Sequence, residues 1–470
     1  MIRKSLAVSL VLAGAGVALT MSASVVAQQP AAAPAVTFHR DITPILQRSC
    51  QNCHRPNSLA PMSLITYEEV RPYAKAIKNR TALRNRQGVM PPWYIEKDLG
   101  IQHYKNDVSL SNEEIAKIAQ WADNGAPQGN RAEAPPPLKF ADVNAWAIGE
   151  PDVIVVLPPV KMKAIAPDWW GDAGSAPVPL TEDRYVSALQ IREVNDAQSK
   201  AGPSTIGGLF VFHHGIMGVT GPDGRQEIGG WPVHEVGRNA DVFNPEAGKL
   251  IRAGSQIAFP NVHLHANGKE TTAHLEIGLK LHPKGYTPAI RERLLTIGTG
   301  AIDVRPMEAG QKIESFVTLQ QHTKLTVFEP HMHAAGVRMC LDAAWGSKIE
   351  TLSCAGYDHN WVRSYQYEDD STPLLPKGTI LRLTGYYDNT PANKNVVDPR
   401  NWSGLGHRSI DNMNILIMQV INLTDEQFQK EIKARREKLK LTLGQSSPGC
   451  PLCGFDQLPV PPPARPGGQQ

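Results

Sequence analysis

At 470 residues the chain is long enough for several domains, each burying its own core. Its 48 basic and 45 acidic side chains leave a formal charge of +3, or +1 without Arg3 and Lys4, so nucleic acid is not an expected partner. Six cysteines, four of them in two Cys-x-x-Cys pairs, point to disulfide or cofactor chemistry.

In chain order, Arg3 and Lys4 precede an apolar run from Leu6 to Leu19, and the small residues Val25-Val26-Ala27 suit cleavage. Residues 1–27 therefore read as a secretory signal peptide, with a retained N-terminal anchor as the alternative. No later stretch approaches the roughly 20 apolar residues of a membrane-spanning helix. The mature protein is expected to be periplasmic or otherwise exported, with no membrane span after cleavage.

Gln28 to Ala35 is an Ala/Pro spacer, and a helical unit is expected over 36–130. Thr66 with Glu69, and Ser111 with Glu114, make capping boxes. Ile115, Ile118, Ala119 and Ala122 share one helical face, which Gly125 ends. Within this unit Cys50-Gln51-Asn52-Cys53-His54 has the spacing for covalent c-type haem attachment, two thiols for the vinyl groups and His54 for the iron. Met90, in Val89-Met90-Pro91-Pro92-Trp93, is the candidate second axial ligand, and Met62 its rival. His39 and His103 read as surface or hydrogen-bonded histidines. Together with Ile45-Leu46, Arg55-Pro56, Ala60-Pro61-Met62-Ser63-Leu64 and Trp121 to Pro127, these motifs resemble the single-haem cytochrome c domains of exported bacterial proteins. The resemblance implies an all-α cytochrome c domain carrying one covalent haem.

A Pro-rich linker over 131–150 follows, marked by Ala134-Pro135-Pro136-Pro137. From Asp152 the texture changes to short Val/Ile/Leu-rich runs between Gly, Pro and Asn, such as Val153 to Leu157, His274 to Leu279 and Ile380 to Thr384. That spacing predicts antiparallel, jelly-roll-like sandwiches, and the length predicts two, over 151–298 and 299–445. A helical period returns over Asp425 to Leu439, and 446–470 is a Pro/Gly-rich tail.

Histidine clusters three times in this region, as His213-His214, His263-Leu264-His265 and His331-Met332-His333, each after an apolar run. Residues two apart on a strand share a face, so His331 and His333 can chelate one ion with Met332 turned away. Adjacent His213 and His214 need a bulge, twist or strand end to do the same. Imidazole with thioether suits copper.

These clusters resemble the copper type II, ascorbate-dependent monooxygenases, the peptidylglycine alpha-hydroxylating and dopamine beta-monooxygenase family. The resemblance implies two copper ions. One would be held by His213, His214 and His263, with His265 as fallback; the other, at the catalytic site, by His331, His333 and Met413, with Met418 as rival. The segments Asp388 to Asn393 and Tyr357 to Trp361 also resemble those between the ligands in bacterial relatives. No residues match the family's peptide or amine recognition groups.

Cys340 and Cys354 flank a turn around Gly346 and are expected to form a disulfide. Cys450 and Cys453 lack a following histidine and read as a short disulfide or, less simply, a metal pair. The expectation is thus an exported haem/copper oxidoreductase, oxygen-dependent and fed with electrons by its own cytochrome domain. It would use a redox partner or small-molecule reductant, dioxygen and an organic substrate. The alternative is a non-catalytic electron-transfer or copper-binding c-type cytochrome.

Overall fold

Strand Gln311–Thr318 alternates buried and exposed side chains along most of its length, the signature of a sheet with one face on a core. Thr271–Leu281 alternates buried and half-buried positions over its first six residues, then buries three in succession where the sheet is covered. Patterns of this kind recur from Val153 to Leu423 and set the architecture of the computed structural model, which describes residues 35–56, 58, 60, 62–142, 145–197, 210–228, 230–236 and 240–455. The signal-peptide reading of residues 1–27 lies outside these, as does the tail from residue 456.

Four antiparallel sheets pair into two sandwiches. In the first, one sheet orders Val153–Val156, Thr271–Leu281, Arg184–Asn195 and Lys249–Ile251. Its facing sheet orders Trp169–Gly171, Gln256–Leu264, Phe212–Thr220 and Gln226–Ile228, with the short strand His234–Glu235 added beside Phe212–Thr220. Phe212, Met217, Phe259, Val262, Leu275 and Ile277 fill the space between them. In the second sandwich, Glu292–Gly298, Asn414–Leu423 and His322–Met332 face Gln311–Thr318, Ile380–Tyr387, Gly336–Trp345 and Lys348–Gly356. Glu292–Gly298 pairs along its whole length with Asn414–Leu423, so the second sandwich takes up the chain at residue 292.

The hairpin Gly336–Trp345/Lys348–Gly356 turns on Gly346 at φ 60°, a left-handed conformation that glycine adopts without cost. Its register sets Cys340 opposite Cys354, and the two form a disulfide. Helix Asp425–Leu439 starts on a Thr424/Gln427 capping box and packs Phe428 and Ile432 against the Cys450–Cys453 disulfide and Ile421. Two disulfides fit an oxidising compartment. Among the described residues no helix is long and apolar enough to cross a membrane.

The N-terminal region corrects the expectation of an all-α cytochrome c domain over 36–130. Both predicted capping boxes form, but the helices they open are Tyr67–Val70 and Asn112–Asp123, and the latter, at 12 residues, is the longest of the region. A small core of Phe38, Ile42, Leu46, Ile118 and Trp121 holds these pieces together. The stretch between them leaves that core. Trp93, Tyr94, Ile95, Ile101 and Tyr104 are buried in the core of the second sandwich. Ile95 bridges to Ala355 and Tyr104 to Tyr367, as an extra strand would. Tyr104, Ser353 and Tyr367 join hydroxyls at 2.7 and 2.6 Å. Residues 36–130 are therefore an irregular layer of short helices with an extended strap sewn into a β core, and the molecule is predominantly β-sandwich.

The reading of this region as a cytochrome domain falls with that expectation. Cys50 and Cys53 are unbridged thiols on the turn after Thr43–Ser49. Burial pushes the Cys50 thiol up to about 12. His54 sets Nδ1 3.2 Å from the Met62 carbonyl. Met90 is 42% exposed, at the edge of a cavity facing the second sandwich.

Candidate metal centre

A bulge brings His213 and His214 to the same place. Across the Gln256–Leu264/Phe212–Thr220 ladder, His263 pairs with His214 and Leu264 with Phe212, which leaves His213 as the extra residue. The two rings consequently meet, Nδ1 to Nδ1 at 3.0 Å. His263 lies beside them on the central strand, between His214 and Trp170, and is fully buried. His265, just past the strand end, stacks on His213 with centroids 4.3 Å apart and rings 2° from parallel.

In the second sandwich, His331 is the penultimate residue of His322–Met332, and His333 follows its end. Met332 between them turns into the hydrophobic core, as period-two alternation requires. His331 and His333 have a histidine of the first sandwich beside them. His214 lies 4.9 Å from His331 and 6.2 Å from His333, centroid to centroid, so the histidines of the two sandwiches meet across one seam.

A seventh imidazole completes the group. His359 lies on the loop after Lys348–Gly356, 4.5 Å from His213 and 5.4 Å from His333. Its carbonyl is 2.6 Å from His213 Nε2. Ser409 Oγ reaches both His359 Nε2, at 3.2 Å, and His265 Nε2, at 3.3 Å, tying the sandwiches together at the rim.

Ring nitrogens come within 4.8 Å of one another in three histidine groups: His213/His214/His263, His213/His265/His359 and His214/His331/His333. The last two share no residue, and each takes histidines from both sandwiches. Asp168 joins His263 and His265 in a fourth group, its Oδ2 3.3 Å from His263 Nε2.

The electrostatics favour neutral imidazoles ready to donate a lone pair. Burial, then the neighbouring imidazoles, holds His213, His214 and His359 well below the usual histidine range. The same causes bring His333 down to about 3 and His265 to about 4. His331 is the exception. Burial opposes its charged form, but the fully buried Glu235 carboxylate 3.0 Å from Nδ1 wins and raises it. Glu235 pairs with His214 on the first sandwich, so it reaches across the seam to hold a ring of the second. That contact fixes Nδ1 as donor and leaves Nε2 for a metal. The His333 ring is fully buried with only the Arg408 backbone as a polar neighbour outside the cluster, which leaves a ring nitrogen free for a metal.

Met413 adjoins Asn414, which pairs with Met332, so its backbone sits level with the His331/His333 pair. Its carbonyl accepts from Tyr387 Oη at 2.6 Å. The rival Met418 packs in the hydrophobic core opposite Phe328. At the outer rim Trp170 touches His214 and stacks on the exposed His407 at 4.8 Å. Asp168, Glu235 and His359 escape spacing arguments, because each stands alone in sequence. His359 had one visible signal, a histidine inside the Tyr357 to Trp361 segment.

No family model matches the chain, and no curated protein matches it. Similar solved structures include the major capsid protein P2 of bacteriophage PM2, at 11% identity and a TM-score of 0.27, over 55% of this chain and 98% of that one. The tandem CBM22 domains of Paenibacillus barcinonensis Xyn10C align at 9% identity and TM-score 0.15, over 59% and 99%. A structure of infectious bursal disease virus aligns at 8% and 0.16, over 61% and 75%. Overlaps this slight carry no functional argument. The fusion of a cytochrome c domain with a copper monooxygenase-like region is corrected on both counts: the first part is not an all-α domain, and no family match ties the chain to either group.

Proposed function

We propose that the chain is a copper-dependent oxidoreductase whose two sandwiches share one histidine centre. The observation that carries this reading is the pair of disjoint triads, His213/His265/His359 and His214/His331/His333, each drawing ligands from both sandwiches. Each triad would hold one ion, with His263 between them and Met413 at the edge of the second. Neutral nitrogen donors serve both copper oxidation states, and a thioether would favour the reduced one. Copper there supplies one-electron chemistry toward an oxidant such as dioxygen. The chain's own part is to orient His331 through Glu235, keep His213, His214, His265, His333 and His359 neutral by burial and exclude water with the closed seam. Electrons would come from a small-molecule reductant or redox partner. The organic substrate is one whose oxidation needs such a centre. The disulfides and the signal-like N-terminus support export to the periplasm or beyond.

A second reading, a copper carrier without turnover, draws on the complete burial of His263 and His333, which keeps those positions from solvent. The test is copper content with electron paramagnetic resonance and oxygen uptake in the presence of a reductant. Two bound coppers with reductant-dependent oxygen consumption, lost in His213→Ala, support the oxidoreductase. Bound copper without oxygen consumption supports the carrier, and a chain that takes up no copper contradicts both.

A further inference from the structure

The histidine centre is closed at nearly every member. Of the eight residues in its four groups, six histidines are buried, His265 is half-buried and Asp168 is exposed. An ion arriving from solvent therefore meets Asp168 and His265 before any other of these ligands. The sheet register places the two together. In the antiparallel ladder of Gln256–Leu264 with Trp169–Gly171, His263 lies opposite Trp170 and Leu264 opposite Trp169, so one step further His265 comes opposite Asp168. The carboxylate, its side chain 31% exposed, reaches back to His263, with Oδ2 3.3 Å from Nε2. Ligand atoms of Asp168, His263 and His265 all lie within 4.8 Å of one another.

Two features suit this group to passage and not to permanent residence. It is the one of the four groups that contains a carboxylate. Such a hard, anionic donor attracts a cation but holds soft copper(I) less tightly than imidazole does, so the gradient of affinity runs inward. The group also shares His265 with the His213/His265/His359 triad. An ion bound at the rim can thus exchange Asp168 for an inner imidazole while His265 still holds it. His265 already stacks on His213 with centroids 4.3 Å apart. The Ser409 hydroxyl joins the rim to the triad: it lies 3.3 Å from His265 Nε2 and 3.2 Å from His359 Nε2, and it hydrogen-bonds the Asp168 carboxylate.

We infer that Asp168 and His265, backed by His263, form the port through which copper(I) enters the seam. The ion binds first at the rim and is then passed, through the shared His265, to the His213/His265/His359 triad. The inference rests on the copper reading above and adds to it a third metal position, occupied in transit. Asp168 governs how fast the centre fills, and the buried imidazoles govern how tightly it holds.

The test is anaerobic stopped-flow mixing of the metal-free full chain with copper(I) supplied as its acetonitrile complex. Uptake is read by quenching of tryptophan emission, since Trp170 lies against His214 and His263. Asp168→Asn should slow uptake by about ten-fold, while copper content and affinity at equilibrium, from metal analysis and competition titration, stay those of wild type. Asp168→Glu, which keeps the carboxylate, should retain most of the wild-type rate. A merely structural role for Asp168 would move affinity along with rate. Uptake at the wild-type rate in Asp168→Asn overturns the port and leaves the copper reading standing. Loss of a copper equivalent in that variant also overturns it, because Asp168 is then a resident ligand. A wild-type chain that takes up no copper fails the copper reading itself, and the port with it.

Discussion

Glu235 and His359 show how single side chains define this centre. Glu235 is a buried carboxylate from the first sandwich whose contact is a histidine of the second, and its charge sets which nitrogen of His331 is free. Glu235→Gln keeps the shape and removes that charge. Outer partners of metal-bound histidines are typically worth about 10–100-fold in metal affinity. Competition titration should therefore show copper binding weakened in that range; unaltered affinity would place His331 outside the metal's shell. His359 sits between His213 and His333, and His359→Ala should cost one copper equivalent by metal analysis. Local spacing made the histidine pairs legible, since strand periodicity puts His331 and His333 on one face. It did not reveal which pairs would share an ion, because that depends on how two sandwiches dock.

Among the elements, the Gly336–Trp345/Lys348–Gly356 hairpin was the most legible, its glycine turn and flanking cysteines reading directly as a cross-strand disulfide. Replacing Cys340 and Cys354 by serine should lower unfolding stability by about 3 kcal/mol, from the short loop they close, as read by chemical denaturation. The strand that carries His213 and His214 depends on a group with no sequence signature. Glu193 accepts from the backbone N–H of Phe212 at 2.8 Å and of Val211 at 3.0 Å, just ahead of the bulge. Burial pushes its carboxyl up to about 7, against the pull of those N–H groups. The folded chain thus keeps a proton that the unfolded chain sheds near pH 4.5, the ordinary glutamate range. Its contribution to stability is full below that pH and is lost as pH rises through about 7. Glu193→Gln should remove that loss, so its melting temperature relative to wild type should climb between pH 4.5 and 7. A difference independent of pH would show that the carboxyl titrates normally. The strap from Trp93 to Tyr104 was illegible for another reason. Its aromatic residues, read alone, suit a helical or haem-lined core equally well, and only a partner sheet more than 200 residues on decides their burial.

At the scale of the molecule, the β texture after Asp152 was plain in the sequence, whereas the status of the N-terminal region was not. Helix caps report local structure, and both predicted boxes form, yet caps say nothing of which core the intervening chain joins. A chain beginning at residue 131 would lack Trp93, Tyr94, Ile95 and Tyr104 from the second sandwich's core. It should lose cooperative unfolding or precipitate; a soluble fragment with a wild-type transition would show that the strap is dispensable. The central claim, that the two sandwiches share their metal ligands, is tested most directly by copper(I) competition titration of wild type, His214→Ala, His331→Ala and the double variant. Ligands of one ion are not additive, so the double variant should lose no more copper than either single one. Losses that sum, each histidine taking away a different ion, would mean that each sandwich holds a centre of its own.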